Sequence, residues 1–155
     1  MIKLAKGNKA PNFELIDQDG KKISLEGFKE RKVLLYFYPK ADTPGCTKQS
    51  CNVRDSLKKF QTLGVAAVGI SPDKPSKQKK FNDKFDLKFP LLSDEDHRIA
   101  EAYGAWGEKS MYGKKYMGII RSSFLIDEEG AVMEAWYKVK PDETVPKALN
   151  VLGTK

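Results

Sequence analysis

Two short segments near the start of the chain predict a β-hairpin. Phe13–Ile16 and Lys22–Leu25 are separated by Asp17–Gly20, which ends in an Asp-Gly step. An Asp-Gly step between two short runs of strand-forming residues favours a tight turn that joins antiparallel strands. We therefore expect an N-terminal hairpin ahead of the rest of the fold.

Two nearly continuous apolar runs predict the buried part of a β-sheet. They are Val33–Tyr38 and Val65–Ile70. Strands that are covered on both faces show such runs, because neither face carries solvent-exposed polar side chains. Pro39 ends the first run, since proline has no N–H to donate to a sheet ladder. We expect Val33–Tyr38 to be a central strand and Val65–Ile70 to be another buried one.

The spacing of apolar residues changes from Cys46 onward and predicts a helix. Apolar residues recur there at steps of three to seven positions, with charged residues between them. Gly64 is expected to stop this helix, because glycine readily adopts the left-handed backbone that ends many helices. The predicted helix therefore carries both cysteines of the chain, Cys46 at its start and Cys51 five positions later.

The remaining elements complete an alternation of strands and helices. In chain order, they are a Lys-rich helix over Ser76–Phe85, an extended segment Phe89–Leu92, a helix capped by Asp94 or Asp96 that ends near Tyr103, a long glycine-containing loop over Gly104–Gly118, strands at Ser122–Ile126 and Val132–Tyr137, and a helix over Thr144–Leu152. This order predicts an α/β fold with a mixed central sheet and flanking helices. A thioredoxin-like fold, in which a cysteine follows a central strand and opens a helix, fits it.

The composition bounds the class of protein. The chain has 155 residues, of which 40% are hydrophobic, and we expect one domain over residues 1–155. Lys and Arg number 28 against 21 Asp and Glu, for a net charge of +7. Such a charge suits either an anionic partner such as nucleic acid or a Lys-rich solvated surface. We favour the surface, and expect no nucleic acid partner.

The ends and the cysteine content point to a reducing compartment. Met1–Gly7 lacks the apolar core of an export signal, and no apolar run is long enough to cross a membrane. Two cysteines in such a chain are more often reactive than structural. They form no zinc site with the single histidine, His97, because a structural site needs four ligands. We expect a cytoplasmic protein without membrane contact, metal or organic cofactor.

Cys46 is the candidate nucleophile. Its predicted position, between a strand and a helix, places the sulfur where unpaired amides and the helix dipole stabilise a thiolate. Thr43 lies one turn upstream, where its hydroxyl can accept from a substrate and donate to the sulfur. Arg121 opens the Ser122–Ile126 strand, which can lie beside the cysteine-bearing strand in this fold. These groups suit attack on a peroxide O–O bond, which needs donors around the leaving oxygen.

Each of these residues has an ordinary alternative. Thr43 is also expected at a helix N-cap, a role compatible with catalysis. Arg121 can form a surface salt bridge, and Cys51 can be a small core residue. Arg54 can approach the site from the helix or pair with Asp55.

The spacing of the two cysteines limits how they can react. In an α-helix, residues five positions apart have Cα atoms roughly 8–9 Å apart. A disulfide needs Cα atoms within about 7 Å of each other. We therefore expect the helix to unwind locally before Cys46 and Cys51 can be joined.

Around Cys46 the sequence resembles a peroxiredoxin. Pro39, Thr43 and Cys46 match the family signature of Pro, three residues, Thr or Ser, two residues and Cys. The second cysteine, Cys51, is similar to that of the bacterioferritin-comigratory, or peroxiredoxin Q, group. Further similar segments are Ala10–Phe13, Gly69–Ser71, Leu91–Asp94, Trp106–Lys109 and Arg121–Asp127.

The resemblance implies a thioredoxin fold with an N-terminal hairpin and a peroxidase that acts on hydrogen peroxide and organic hydroperoxides. It implies that Cys46 is the peroxidatic cysteine and Cys51 the resolving one. Pro39, Thr43, Gly45 and Arg121 are then expected at the peroxide-binding site. Thioredoxin or a similar dithiol protein is the implied reductant, and the chain is expected to be a monomer or a weak dimer. Gln49 stands where many peroxiredoxins carry Glu.

Other functions remain open from the residues alone. A general thiol–disulfide oxidoreductase is one, although its dithiol motif normally has two residues between the cysteines. A basic, redox-sensing binding protein is another. His97 is conceivable as a base or metal ligand, but is expected as a solvated residue in a first helical turn. Tyr103–Tyr116 can stack on nucleic acid or, as we expect, form a loop that packs Trp106 and Tyr112 near the active site.

Overall fold

The computed structural model describes residues 3–153, so Met1 and Ile2 of the opening segment and the last two residues of the expected domain lie outside the described residues. The strands are β1 Glu14–Ile16, β2 Lys22–Ser24, β3 Lys32–Phe37, β4 Val65–Ser71, β5 Leu91–Ser93, β6 Trp106–Met111, β7 Lys114–Ile119, β8 Ser122–Ile126 and β9 Val132–Trp136. The helices are α1 Pro44–Asp55, α2 Leu57–Thr62, α3 Pro75–Phe85, α4 Arg98–Ala102 and α5 Thr144–Val151, with a 3-10 turn at Glu26–Phe28.

Seven strands form one mixed sheet in the order β2-β1-β5-β4-β3-β8-β9. Strand β3 is parallel to β4 and antiparallel to β8, and β4 is parallel to β5. The antiparallel β1–β2 pair forms the predicted N-terminal hairpin, with Leu15 opposite Ile23. The predicted α/β class, the mixed sheet and the hairpin are therefore confirmed.

Strand β3 lies at the centre of the core, which explains its continuous apolar sequence. Val33, Leu35 and Phe37 belong to the hydrophobic cluster on one face of the sheet, and Leu34 and Tyr36 belong to the cluster on the other. Successive side chains of a strand point to opposite faces, so burial on both faces requires apolar residues at every position.

The helix predicted from Cys46 to Gly64 is two helices. It begins two residues earlier, with Pro44 in the first turn after Thr43, a position that proline favours because its missing N–H has no partner there. Ser56 has φ −106° and ψ 4°, and the regular helix ends there before α2 begins at Leu57. Only α1 carries the two cysteines.

The predicted loop over Gly104–Gly118 is wrong, because most of it forms the β6–β7 hairpin. This hairpin is a separate two-stranded sheet, closed by Tyr112 and Gly113, which have φ of 53° and 79°. Positive φ at both central residues is the geometry of a tight hairpin turn. Most hairpin side chains beyond Lys109 are exposed, so the strands lack the alternation of apolar and polar residues by which half-buried strands are identified.

Candidate active site

Cys46 lies in the first turn of α1, directly beyond the end of β3, as expected. The residue is 1% exposed and packs in the same hydrophobic cluster as Tyr36 and Val53. The first turn of a helix presents unpaired N–H groups and the positive end of its dipole. The fold therefore places a buried sulfur at the positive end of a helix dipole, beside unpaired N–H groups.

Arg121, the residue directly before the neighbouring strand β8, reaches this sulfur. Phe37, the last residue of β3, pairs with Ser122 at the start of the antiparallel β8. Arg121 precedes Ser122 and therefore lies beside the loop that connects β3 to α1. Its Nη2 donates to Cys46 Sγ at 3.3 Å. The expected proximity of these two residues is thus a feature of the structure, and the surface ion pair considered for Arg121 is replaced by this contact.

A chain of buried side chains fixes the orientation of the guanidinium. Arg121 Nη1 donates to Gln49 Oε1 at 2.6 Å, and Gln49 Nε2 donates to Thr144 Oγ1 at 2.9 Å. Thr144 Oγ1 lies 2.8 Å from Ser123 Oγ. Gln49 is completely buried, so each of its hydrogen bonds replaces one that water would otherwise supply. Sequence reasoning identified Gln49 but missed Thr144 and Ser123, because serine and threonine on a strand and a helix carry no distinctive pattern.

Thr43 lies at the N-cap of α1 but does not cap the helix with its side chain. Its Oγ1 donates to the carbonyl of Lys40 at 2.8 Å. A hydroxyl has one proton, so the expectation that Thr43 also donates to the sulfur is not met in this structure. The lone pairs of Oγ1 remain available to accept a hydrogen bond.

The loop between β3 and α1 is tied to the loop that follows β4. Asp73 Oδ2 accepts from the backbone N–H of Ala41 and from Ser71 Oγ, both at 2.7 Å. Asp42, which has a positive φ of 60°, forms an ion pair with Lys84 at 3.0 Å. Pro39, half-buried, begins this loop. The segment that leads into the first turn of α1 is therefore held from two sides.

Gly45 lies between Arg121 and the segment before α5. A Cβ atom at this position would be 3.2 Å from Arg121 Nη2 and 3.3 Å from Pro141 Cγ. The absence of a side chain at Gly45 allows the guanidinium to lie against the first turn of α1.

Cys51 is half-buried on α1, and both cysteines are free thiols. The helix is continuous between Cys46 and Cys51, as the spacing argument assumed. Beside them, Tyr36 Oη and Ser50 Oγ are 2.7 Å apart in the core. Burial raises the pKa of Tyr36, and the charge of Cys46 acts in the same direction, so Tyr36 is a neutral hydroxyl near the sulfur.

Two further residues that the sequence analysis considered, Arg54 and His97, lie outside the candidate site around Cys46 and Arg121. Arg54 hydrogen-bonds to Asp55 and, through Nη1, to the carbonyl of Phe85 at 2.6 Å. This is the alternative in which Arg54 pairs with Asp55 and does not approach the site. The ring of His97 stacks on Trp106 at 3.7 Å, and its Nδ1 lies 2.9 Å from Glu101 Oε2.

The expected packing of Tyr112 near the active site is wrong, because the residue is 98% exposed at the hairpin turn. Within residues 3–153, no three His, Cys, Asp or Glu side chains come together as metal ligands. No helix in the same range is long and apolar enough to cross a bilayer.

The arrangement suits nucleophilic chemistry at sulfur. A thiolate at a helix N-terminus, with a fixed guanidinium beside it, can attack an electron-poor atom while the cation stabilises the charge that develops on a leaving group. The guanidinium fork already holds the sulfur and Gln49, so it is oriented before any substrate arrives.

Comparison with known proteins gives a consistent result. The AhpC/TSA family matches residues 6–135. A putative peroxiredoxin of Mycobacterium tuberculosis is 52% identical over 145 residues, which cover 94% of this chain and 92% of that protein. Peroxiredoxin Bcp of Escherichia coli is 48% identical over 152 residues, covering 98% and 97% of the two chains.

Solved structures agree with these relatives. A PrxQ variant from Xylella fastidiosa superposes with a TM-score of 0.91 at 29% identity, over 98% of this chain and 97% of that one. A structure of the Xanthomonas campestris bacterioferritin comigratory protein, studied for alkyl peroxide reduction, gives 0.85 at 35% identity, over 90% and 89%. These neighbours share the thioredoxin fold. The chain belongs to the AhpC/TSA family and is a peroxiredoxin of the Bcp, or peroxiredoxin Q, group, a thiol-dependent peroxidase.

Proposed function

We propose that Cys46 is the peroxidatic cysteine. Its thiolate attacks one peroxide oxygen, so that an S–O bond forms as the O–O bond breaks. The leaving oxygen takes a proton and departs as water or an alcohol, and Cys46 is left as a sulfenic acid. Cys46 is oxidised by two electrons, and the peroxide is reduced by two. The observation that carries this assignment is the 3.3 Å contact between Arg121 Nη2 and the sulfur.

Arg121 and Thr43 are proposed to hold the peroxide. The Arg121 guanidinium can donate to the leaving oxygen, where negative charge develops during attack. Thr43 Oγ1 gives its proton to Lys40, so its lone pairs can accept the hydrogen bond of a peroxide O–H. Pro39 and Gly45 shape the same peroxide-binding site. Pro39 stiffens the loop before α1, and Gly45 leaves room for Arg121.

Cys51 is proposed to resolve the sulfenic acid. Its thiol displaces the sulfenic oxygen as water, which forms a disulfide with Cys46. Both residues lie on an unbroken α1, so part of this helix has to unwind before the sulfurs can meet. Thioredoxin or a similar dithiol protein then reduces the disulfide and is itself oxidised. We expect this cycle in the cytoplasm, on a monomer or a weak dimer, with hydrogen peroxide and organic hydroperoxides as substrates.

The test is to follow both thiols by intact mass and thiol counting. The reduced protein receives one equivalent of hydrogen peroxide, beside Cys46→Ser and Cys51→Ser. We expect the wild type to lose both thiols, Cys51→Ser to accumulate a sulfenic acid that dimedone traps, and Cys46→Ser to remain unchanged. Survival of the Cys46 thiol under a modest peroxide excess would overturn the assignment. Adding thioredoxin, its reductase and NADPH then tests the reductant separately, because continued NADPH consumption requires recycling of the disulfide.

A further inference from the structure

Lys109 lies on the hairpin that the sequence did not predict, and it differs from the other lysines there. It is half-buried, whereas Lys114 and Lys115 are exposed. In the hairpin register, Lys109 pairs with Tyr116, and Gly107 pairs with Gly118. These four residues share one face of the hairpin, because side chains directly opposite each other lie on the same face and alternate positions along each strand do so too.

Gly118 is the glycine over which the Lys109 side chain lies. A Cβ atom on Gly118 would be 3.1 Å from Lys109 Cδ and 3.3 Å from Tyr116 Cε2. The lysine stem therefore crosses Gly118, away from the hairpin tip and toward the end of β7 that leads to Arg121. The φ of Gly118 is not positive, so the backbone does not require glycine there. Glycine at position 118 instead leaves room for the Lys109 stem and the Tyr116 ring, one of which would have to shift by a few tenths of an ångström if a Cβ were added.

The charges around Lys109 are those of the active site. Its pKa is lowered, first by burial and then by the positive charge of Arg121, while the negative charge of Cys46 opposes this. Charged or titratable groups that act near Cys46 include Arg121, directly before β8, Lys109 from β6, Tyr36 from β3 and Cys51 on α1 itself. Of these four, only Arg121 and Lys109 are cations.

We propose that Lys109 is a positioning residue of the peroxide site, a second cation that stabilises the anionic sulfur of Cys46 from the hairpin side. The inference rests on the proposed role of Cys46. Arg121 is held by Gln49 and by the sulfur, so its charge is fixed in place. Lys109 adds a second positive charge that acts on Cys46 and Arg121, in a partly buried site where charge–charge interactions are stronger than in water. Gly118 serves this role by leaving the path of the lysine open.

The test separates the charge from the fold. Lys109→Gln, Lys109→Arg and Gly118→Ala are made in a Cys51→Ser background, and two properties are measured. One is the pH midpoint at which iodoacetamide alkylates Cys46, and the other is the second-order rate of its oxidation by hydrogen peroxide at neutral pH. Lys115→Gln and Gly107→Ala are the matched controls. Lys115 pairs with Glu108 on the other face of the hairpin, and a Cβ on Gly107 would be an ordinary 3.6 Å from Ile120 Cγ1.

We expect Lys109→Gln to move the alkylation midpoint to higher pH and to slow oxidation by about tenfold, the scale of one partly screened charge. Lys109→Arg restores both properties, because it keeps the charge. Gly118→Ala shifts the midpoint in the same direction as Lys109→Gln although its lysine is intact, and both controls match the parent.

Two results for Lys109→Gln would overturn the proposal. One is that neither the pH midpoint of Cys46 alkylation nor the oxidation rate changes. The other is a slower oxidation rate with an unchanged midpoint, which would mean that the lysine affects only the shape of the peroxide-binding site. Alkylation needs no peroxide, so the midpoint remains interpretable even if the parent fails to react with peroxide. That separate failure would contradict the role of Cys46 and not the charge effect of Lys109.

Discussion

Gly45 and Arg121 are in such close contact that a side chain at position 45 would press on the guanidinium. A Cβ on Gly45 would lie 3.2 Å from Nη2, the same nitrogen that donates to Cys46. Backbone, cation and sulfur are therefore packed as one unit, and moving the guanidinium changes its geometry toward the sulfur.

Gly45→Ala should separate activity from stability. The new methyl group has Arg121 on one side and the rigid ring of Pro141 on the other, so the guanidinium must move by a few tenths of an ångström. We expect the rate constant for peroxide to fall by about tenfold, since small misplacements of oriented groups are costly. The free energy of unfolding should change little. Alanine favours a helix over glycine by roughly 0.5–1 kcal/mol, and this gain offsets the cost of the close contacts with Arg121 and Pro141.

Stopped-flow oxidation and urea denaturation check this prediction. Gly27→Ala is the matched control, because its Cβ would be an ordinary 3.5 Å from Ser24 Oγ, far along the chain from Cys46. A Gly45→Ala protein with the parent rate would show that the guanidinium moves without consequence.

Arg121→Lys should lose most of the peroxidase activity. A lysine ammonium cannot hold Gln49 and the sulfur with the two arms of one planar group. We expect a decrease of about 10²-fold in the second-order rate, comparable to the loss of one donor to a developing anion. Single-turnover oxidation of Cys46 gives the measurement. Arg54→Lys is the control, since Arg54 bonds to Asp55 and Phe85, and a comparable loss there would favour the alternative arginine.

Gln49 should tolerate a change to Glu but not to Leu. In Gln49→Glu a carboxylate accepts from Arg121, and the hydroxyl of Thr144 can turn to donate to it, so we expect near-parent activity. Gln49→Leu leaves Arg121 Nη1 and Thr144 without their partner. We expect this variant to lose about 1–3 kcal/mol of unfolding free energy and much of its peroxidase rate. Urea titration and peroxide kinetics on the same samples give both quantities. If the two variants have equal stability and equal rates, Gln49 does not act as the bridge between Arg121 and Thr144.

The elements that the sequence predicts correctly and the hairpin that it does not predict differ in how they are buried. Strand β3 and the start of α1 are buried on several sides, so their sequence shows continuous apolar residues followed by a proline and a helical period. The β6–β7 hairpin pairs only with itself, and its turn is Tyr-Gly, which lacks the Asn or Asp that usually marks such turns. Little in its local pattern distinguished it from a loop.

The candidate site shows the same limit. Local motifs identified Cys46 and Thr43, and the strand order implied by the fold brought in Arg121. The contacts of Thr144 with Gln49 and Ser123 join side chains from elements far apart in the chain. Such contacts come from tertiary packing, which leaves no periodic signal in the sequence.

Oxidation should change the structure of α1. Joining Cys46 to Cys51 requires Cα atoms closer than an intact helix allows, so we expect the first two turns, about seven residues, to unwind. The buried positions of this segment, Gln49 and Ser50, then lose their packing. Hydrogen exchange by mass spectrometry should show faster exchange over α1 in the disulfide form, with α3 unchanged.

The same exchange measurement on Cys51→Ser, oxidised to the sulfenic acid, is the control, since it has no disulfide to form. An oxidised structure with the disulfide closed and α1 still helical from Pro44 to Asp55 would contradict the expectation.

The separation of Cys46 and Arg121 by 75 residues has a consequence for biosynthesis. During translation the cysteine leaves the ribosome long before the arginine, and the two meet only when β8 pairs with β3. Until then the sulfur of Cys46 lacks its contact with the Arg121 guanidinium. The proposed reactivity of Cys46 toward peroxide is therefore expected only once the sheet is complete, and an incomplete or misfolded chain is expected to lack it.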